Sequence, residues 1–246
     1  MISESPMKQT NSALFHLGIA LGVAALVMGG EYYFRHYVLF WMPAVGSLIV
    51  NDMISLLLIY GLLLFGIGRL MKTNWRAELA GLWQAAQESA RSWNFTIWFI
   101  LLVLSILILP YFDKIFWGRF ALPMVINRYR SPILWFGSWA PMLKAIALIL
   151  VNGIFVPIAE EFLWRGVIQP HLLRVLPPPL AIGITAVLFS FKHVLVDASW
   201  GRFLSLTAFG IICGIVAWRK SWKNSAVLHI FVNSIATIVG LIRGTE

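Results

Sequence analysis

Cysteine occurs once in the 246 residues, at Cys213, which excludes an intrachain disulfide and any zinc or iron–sulfur site built from clustered cysteines. Charge is scarce too. Asp, Glu, Lys and Arg together make up 12% of the chain, against roughly 25% in soluble domains. No polar stretch is long enough to fold a core of its own, and no internal repeat or flexible linker suggests duplicated transporter halves. Neither H-E-x-x-H nor G-x-S-x-G occurs, so a zinc-peptidase helix and a serine nucleophile elbow are both missing. What fills the chain is apolar: 60% of residues are hydrophobic and 14% aromatic. This is the composition of a membrane protein, and one integral membrane domain over residues 1–246 is the economical reading. Lys and Arg number 19 against 10 Asp and Glu, a net charge of +9. The basic residues fall in short runs between apolar stretches and form no stripe that a nucleic acid could follow. Anchoring at the surface of a lipid bilayer explains them, and no nucleic-acid partner is expected.

A helix needs about 20 apolar residues to cross the hydrocarbon. Ser12 to Gly30 is the first such run; Lys8 gives it some likeness to a signal peptide, but Glu4 and the lack of an A-x-A site favour a retained helix. Met53 to Gly68, Ser92 to Phe112, Ala145 to Ala159, Leu180 to Phe191, Phe203 to Trp218 and Asn224 to Ile242 follow. Tyr37 to Val50 is short and contains Pro43, and is compatible with spanning, re-entering or lying in the interface. The expected fold is therefore an all-α polytopic bundle of seven or eight transmembrane helices. Between spans, Arg69 to Arg91 carries Leu79, Leu82, Trp83 and Ala86 at helical spacing and reads as an amphipathic surface helix, placed on the cytoplasmic side. Arg219, Lys220 and Lys223 fit the same side, whereas Lys114, Arg119, Arg128 and Arg130 in the loop from Asp113 to Ser138 oppose that orientation. Nothing in the sequence sets an oligomeric state.

An ionisable side chain at the bilayer centre costs about 2.5–3.5 kcal/mol on insertion scales, so such residues face the protein interior and mark candidate sites. Glu160-Glu161-Phe162-Leu163-Trp164-Arg165 closes the run Ala145 to Ala159. At about 100° per residue, Glu161 and Arg165 lie one turn apart on one face, the spacing of an intrahelical ion pair, while Glu160 lies about 140° from Arg165. The spacing thus assigns Glu161 to a fixed pair with Arg165 and leaves Glu160 a free carboxylate able to accept a proton. Pro157 is expected to leave the carbonyl of Gly153 without its helical partner, a defect tolerated at membrane depth where it lines a wet cavity. Further on, Phe189 and His193 share one helical face, as do His229 and Asn233. The plainer reading is a set of solvated charges capping a helix and of satisfied core histidines. Against it stand two histidines, an amide and a glutamate on three separate apolar helices, a set that can activate water and donate to an oxyanion.

At these residues the sequence resembles the CPBP family of glutamic intramembrane proteases (CAAX protease and bacteriocin-processing, or Abi), which includes the type II CAAX prenyl endopeptidases. The EExxxR motif reads as Glu160, Glu161 and Arg165, followed by Gly166; FxxxH reads as Phe189 and His193; the third motif, a histidine followed four residues later by Asn or Asp, reads as His229 and Asn233. The match covers about residues 140–242, and Trp164 stands where another aromatic is usual. The resemblance implies an endopeptidase, in a prokaryotic cell membrane, that cleaves a membrane-associated peptide or protein. Glu160 and His193 would activate a water, and His229 with Asn233 would stabilise the oxyanion. Glu161 and Arg165 would hold the helix in register, and no cofactor or metal is implied. Two other readings use the same residues. A metal-dependent hydrolase would take Glu160, Glu161, His193 and His229 as ligands, with Arg165 beside the carboxylates weighing against a cation. A non-catalytic immunity or scaffold protein would grip a peptide in the same cavity.

Overall fold

The computed structural model describes residues 6–38, 44–45, 48–117, 133–134, 140–197 and 200–243. Six of its helices are long and apolar enough to cross a membrane: Ser12–Tyr37, Asp52–Leu70, Trp93–Phe116, Pro141–Leu173, Pro178–Asp197 and Trp222–Ile242; Phe203–Arg219 is a shorter apolar helix. They belong to α1 (Pro6–Tyr33, continued by a π-helical turn Phe34–Val38), α2 (Leu48–Leu70), α4 (Trp93–Trp117), α8 (Pro178–Asp197), α9 (Phe203–Arg219) and α10 (Trp222–Arg243). The fourth span is one rod made of α5 (Ala140–Ala147), a π-helical segment Leu148–Phe155, α6 (Val156–Glu161), a second π-helical segment Phe162–Ile168 and α7 (Gln169–Leu173). The protein is an all-α polytopic membrane bundle. The only strand pairing among the described residues is a two-residue parallel one of β1 (Ala44–Val45) with β2 (Ile133–Leu134).

That pairing bears on the Tyr37 to Val50 stretch. Its described residues end α1's π turn, pair as β1 and begin α2, and they add no separate span; residues 39–43, Pro43 among them, and 46–47 lie outside the described residues, as do Arg119, Arg128 and Arg130. α2 starts before Asn51 and Asp52 rather than after them. The amphipathic stretch also begins differently. Arg69 and Leu70 finish α2, Lys72 turns with φ 53°, and Asn74 caps α3 (Trp75–Ala90) by accepting from the Ala77 N–H at 3.3 Å. α3 lies on α10 where Gly81 leaves room for Lys223, whose ammonium pairs with Glu78 at 2.8 Å. Leu79 and Trp83 stay exposed.

The rod from Ala140 to Leu173 passes through the charged motif, as the helical spacing of Glu161 and Arg165 requires, so these charges do not cap a helix end. Pro157 lacks an N–H and strips a partner from a carbonyl four or five residues back. The π register meets this defect, with the Val156 N–H reaching Val151, and α10 supplies the missing donors. The Asn233 amide donates to the Asn152 carbonyl and the Ser234 hydroxyl to the Gly153 carbonyl, each at 3.2 Å. A π-bulge whose freed carbonyls are taken by a neighbouring helix keeps every polar group satisfied in lipid.

α8 is the central helix. Half of its apolar window is buried, against 6% of that of α4. Gly210 lets α9 approach α8, since a Cβ there would sit 2.9 Å from the Ala186 Cα. α9 has no cap of its own: Asp113, fully buried at the end of α4, accepts the Leu204 and Ser205 N–H groups at 2.7 and 3.0 Å and the Ser205 hydroxyl at 2.9 Å. A carboxylate against a helix N-terminus satisfies orphan donors and complements the dipole.

Candidate active site

α6 delivers Glu160 and Glu161, both buried, at 3% and 0% exposure. Adjacent residues on a helix point apart, and here they enter different surroundings. Glu161 turns toward α9 and α10. Its Oε1 accepts from Arg165 at 3.0 Å and lies 3.0 Å from the His229 Nδ1, and its Oε2 accepts from the Ser225 hydroxyl at 2.7 Å. The pair expected from helical spacing is present, and α10 adds His229 and Ser225 to it. Arg165 continues inward, donating to the Gly210 carbonyl at 3.2 Å, and Gln169, one turn later, donates to the Gly214 carbonyl at 2.9 Å. Charged and amide side chains spaced by four thus grip carbonyls spaced by four on α9.

Glu160 turns toward α2 and α8, and its carboxylate is not free. Lys192 of α8, wholly buried, contacts Glu160 Oε1, and the Tyr60 hydroxyl of α2 lies 2.9 Å from the same oxygen. Lys192 also reaches Glu31 of α1 at 3.0 Å and the Tyr60 hydroxyl at 3.0 Å, and Tyr60 meets Glu31 at 2.7 Å. Two buried carboxylates therefore share one ammonium and one phenol. Helical spacing compares only residues on one helix, so it could not foresee partners arriving from α1, α2 and α8. The remaining oxygen of Glu160, Oε2, lies 3.9 Å from the His229 Nε2, and Oε1 lies 3.8 Å from the His193 Nε2. Both separations exceed a direct hydrogen bond.

These side chains open on a cavity of about 380 Å³ lined by Glu160, Phe189, His193, His229 and Asn233, together with Glu31, Arg35 and Asp197. All four residues singled out for chemistry meet on one wall-to-wall space, although they come from three helices. Glu161 and Arg165 stand behind that wall. Phe189 supports it, stacked on Phe209 at 5.9 Å with the Arg165 guanidinium 4.6 Å over its ring and His193 at 5.1 Å. Trp164, fully buried, packs edge-on against Phe189 at 5.8 Å. On the far side, His193 Nδ1 lies 3.9 Å from Asp197, which Arg35 and Arg202 also approach at 3.7 and 3.5 Å; Arg35 in turn clasps Asp52 at 2.7 Å. Among the described residues no group of three His, Cys, Asp or Glu is gathered so as to hold a metal ion. Each of the two glutamates faces a side-chain cation.

Sequence reasoning passed over Lys192, Glu31, Tyr60, Asp197 and Ser225. Lys192 and Glu31 carried the signal already applied to Glu160, a charge within or at the end of an apolar run. Tyr60 carried none, being one more aromatic in an apolar helix.

Residues 141–235, which include every motif residue of the cavity, match the family model described as type II CAAX prenyl endopeptidase Rce1-like. No curated protein and no solved structure matches the chain.

Proposed function

Residues 141–235 of this membrane protein match the Rce1-like type II CAAX prenyl endopeptidase family model, and on that premise we propose that Glu160 is the base of a water-activating, glutamic-type intramembrane protease. The observation that carries the reading is the convergence of Glu160, His193, His229 and Asn233 on one cavity. Gaps of 3.8 and 3.9 Å between Glu160 and the two histidines suit a water held between them. Glu160 takes the proton of that water as it attacks the scissile carbonyl and returns it to the leaving amine as the tetrahedral intermediate collapses, while His193, backed by Asp197, shares and orients the water. No covalent intermediate is required.

His229 and Asn233 receive the oxyanion. With the His229 Nδ1 directed at Glu161, the Nε2 is the ring atom left toward the cavity. Asn233 spends one amide hydrogen on the Asn152 carbonyl; the second is available to the oxyanion. Such donors act on charge that exists only in the transition state. Glu161 and Arg165 are positioning residues, as is Phe189. Lys192 and Tyr60 hold the Glu160 carboxylate from behind. Side-chain cations against both glutamates support this reading over a metal-dependent one.

The chain acts as one integral membrane domain, in a prokaryotic cell membrane, on a membrane-associated peptide or protein, whose carboxy-terminal extension it removes. The test is cleavage and binding measured side by side in nanodiscs, with farnesylated and unmodified CAAX-type peptides as probes. Asn233→Ala and His229→Ala each lower turnover by about 10²–10³-fold with peptide affinity little changed. A scaffold or immunity protein gives the reverse, loss of affinity and no turnover in the parent. Unchanged cleavage in both variants removes these residues from the mechanism.

A further inference from the structure

A second cavity, about 320 Å³, lies at the opposite ends of the helices that wall the first. Here α3 ends, α4 begins, α9 ends and α10 begins. Its apolar part is made by Phe95, Trp98 and Leu228 and its polar part by Arg219, Lys220 and Asn224. Arg219 and Lys220 are exposed and make no ion pair among the described residues. Asn224 is 6% exposed, and its amide Nδ2 has no hydrogen-bond partner. A buried amide left unpaired costs free energy, and it stands beside two unpaired cations. The first turn of α4, where backbone N–H groups lack helical partners, borders the same space through Asn94.

All three donor types suit an anion with several oxygens, and the apolar part suits a chain attached to it. The location fits as well: Trp93 and Trp222 open two of the spans at this end, the level where aromatic side chains mark the membrane interface. Basic pockets between transmembrane helices at this depth accept lipid headgroups. We infer that this cavity binds the phosphate of an anionic phospholipid, with Arg219, Lys220 and Asn224 on the headgroup and Trp98 and Leu228 along the acyl chain. The site is separate from the chemistry but shares α10 with it. Asn224 and Leu228 line this cavity, while the neighbouring Ser225 and His229 engage Glu161.

The full-length protein in detergent is titrated with phosphatidylglycerol, phosphatidylcholine or inorganic phosphate, and retained ligand is counted by native mass spectrometry. The wild type retains phosphatidylglycerol in preference to phosphatidylcholine. The double variant Arg219→Gln/Lys220→Gln weakens that retention by roughly tenfold to thirtyfold, as the loss of two basic contacts predicts. Asn224→Ala weakens it severalfold, and Arg69→Gln, which removes an exposed charge outside the cavity, leaves it unchanged. Thermal melting of each variant confirms that it is folded. Equal retention of the two lipids, or a double variant that holds phosphatidylglycerol as the wild type does, overturns the proposal. Displacement of phosphatidylglycerol by an equal concentration of inorganic phosphate overturns the lipid as the source of the phosphate.

Discussion

The amino-terminal helices and the carboxy-terminal ones contribute to the cavity in different ways. From α6 to α10 come the motif residues, spaced by four along helices so that pairs share a face: Glu161 with Arg165, Phe189 with His193, His229 with Asn233. From α1 and α2 come Glu31, Arg35, Asp52 and Tyr60, which follow no motif and yet line or back the same space. The difference teaches that the motif half carries the groups proposed to meet a substrate, and the amino-terminal half sets their electrostatic surroundings. Lys192 is the link, standing next to His193 in the motif half and held by carboxylates from both halves.

Removing that link tests the comparison hardest. Lys192→Met leaves Glu31 and Glu160 buried against each other with only Tyr60 between them, so stability falls by about 3–5 kcal/mol, the cost of breaking a buried pair. Adding Glu31→Gln recovers part of the loss, because one of the two opposed charges is gone; denaturation in detergent measures both. No recovery would mean that the amino-terminal carboxylate is not coupled to Glu160. A smaller effect is expected of Tyr60→Phe, which deletes one hydroxyl shared by two carboxylates and lowers stability by about 1.5–3 kcal/mol. A Tyr60→Phe protein as stable as the parent would reduce α2 to a frame. Smallest is Ser234→Ala, which stays within the motif half and frees the Gly153 carbonyl beside Pro157, at about 1 kcal/mol. If that variant were as damaging as Tyr60→Phe, the proline break and not the charge cluster would be the weak point of the site.

Much of this was legible in the sequence, for physical reasons that differ by residue. Apolar runs about the width of a bilayer fix the spans, and six are present among the described residues, with Phe203–Arg219 as a shorter apolar helix and no separate span from Tyr37 to Val50. The Glu161–Arg165 pair was legible because both ends sit on one helix, one turn apart. Glu160 was misread as free for the same reason: its partners lie 32 and 100 residues away along the chain, on α8 and α2. Spacing on one helix is silent about neighbours on another. Asp113 is a further case, placed by sequence at the start of a loop and found closing α4 as the cap of α9. The defect at Pro157 was anticipated, while its repair by Asn233 and Ser234 required knowing that α10 runs alongside.

The central claim is that two adjacent buried carboxylates do different work, and Glu160→Gln beside Glu161→Gln tests it most directly, with cleavage rate and melting temperature read on the same preparations in nanodiscs. Glu160→Gln keeps the volume and leaves Lys192 neutralised by Glu31, so the account predicts a folded protein with nearly the parental melting temperature and no detectable cleavage, since the amide cannot take the water's proton. Glu161→Gln strips Arg165 of its counter-ion and His229 of a carboxylate acceptor, and the prediction is a loss of about 3–5 kcal/mol in stability. Cleavage surviving in Glu160→Gln, or two variants equally inactive and equally stable, would contradict the division.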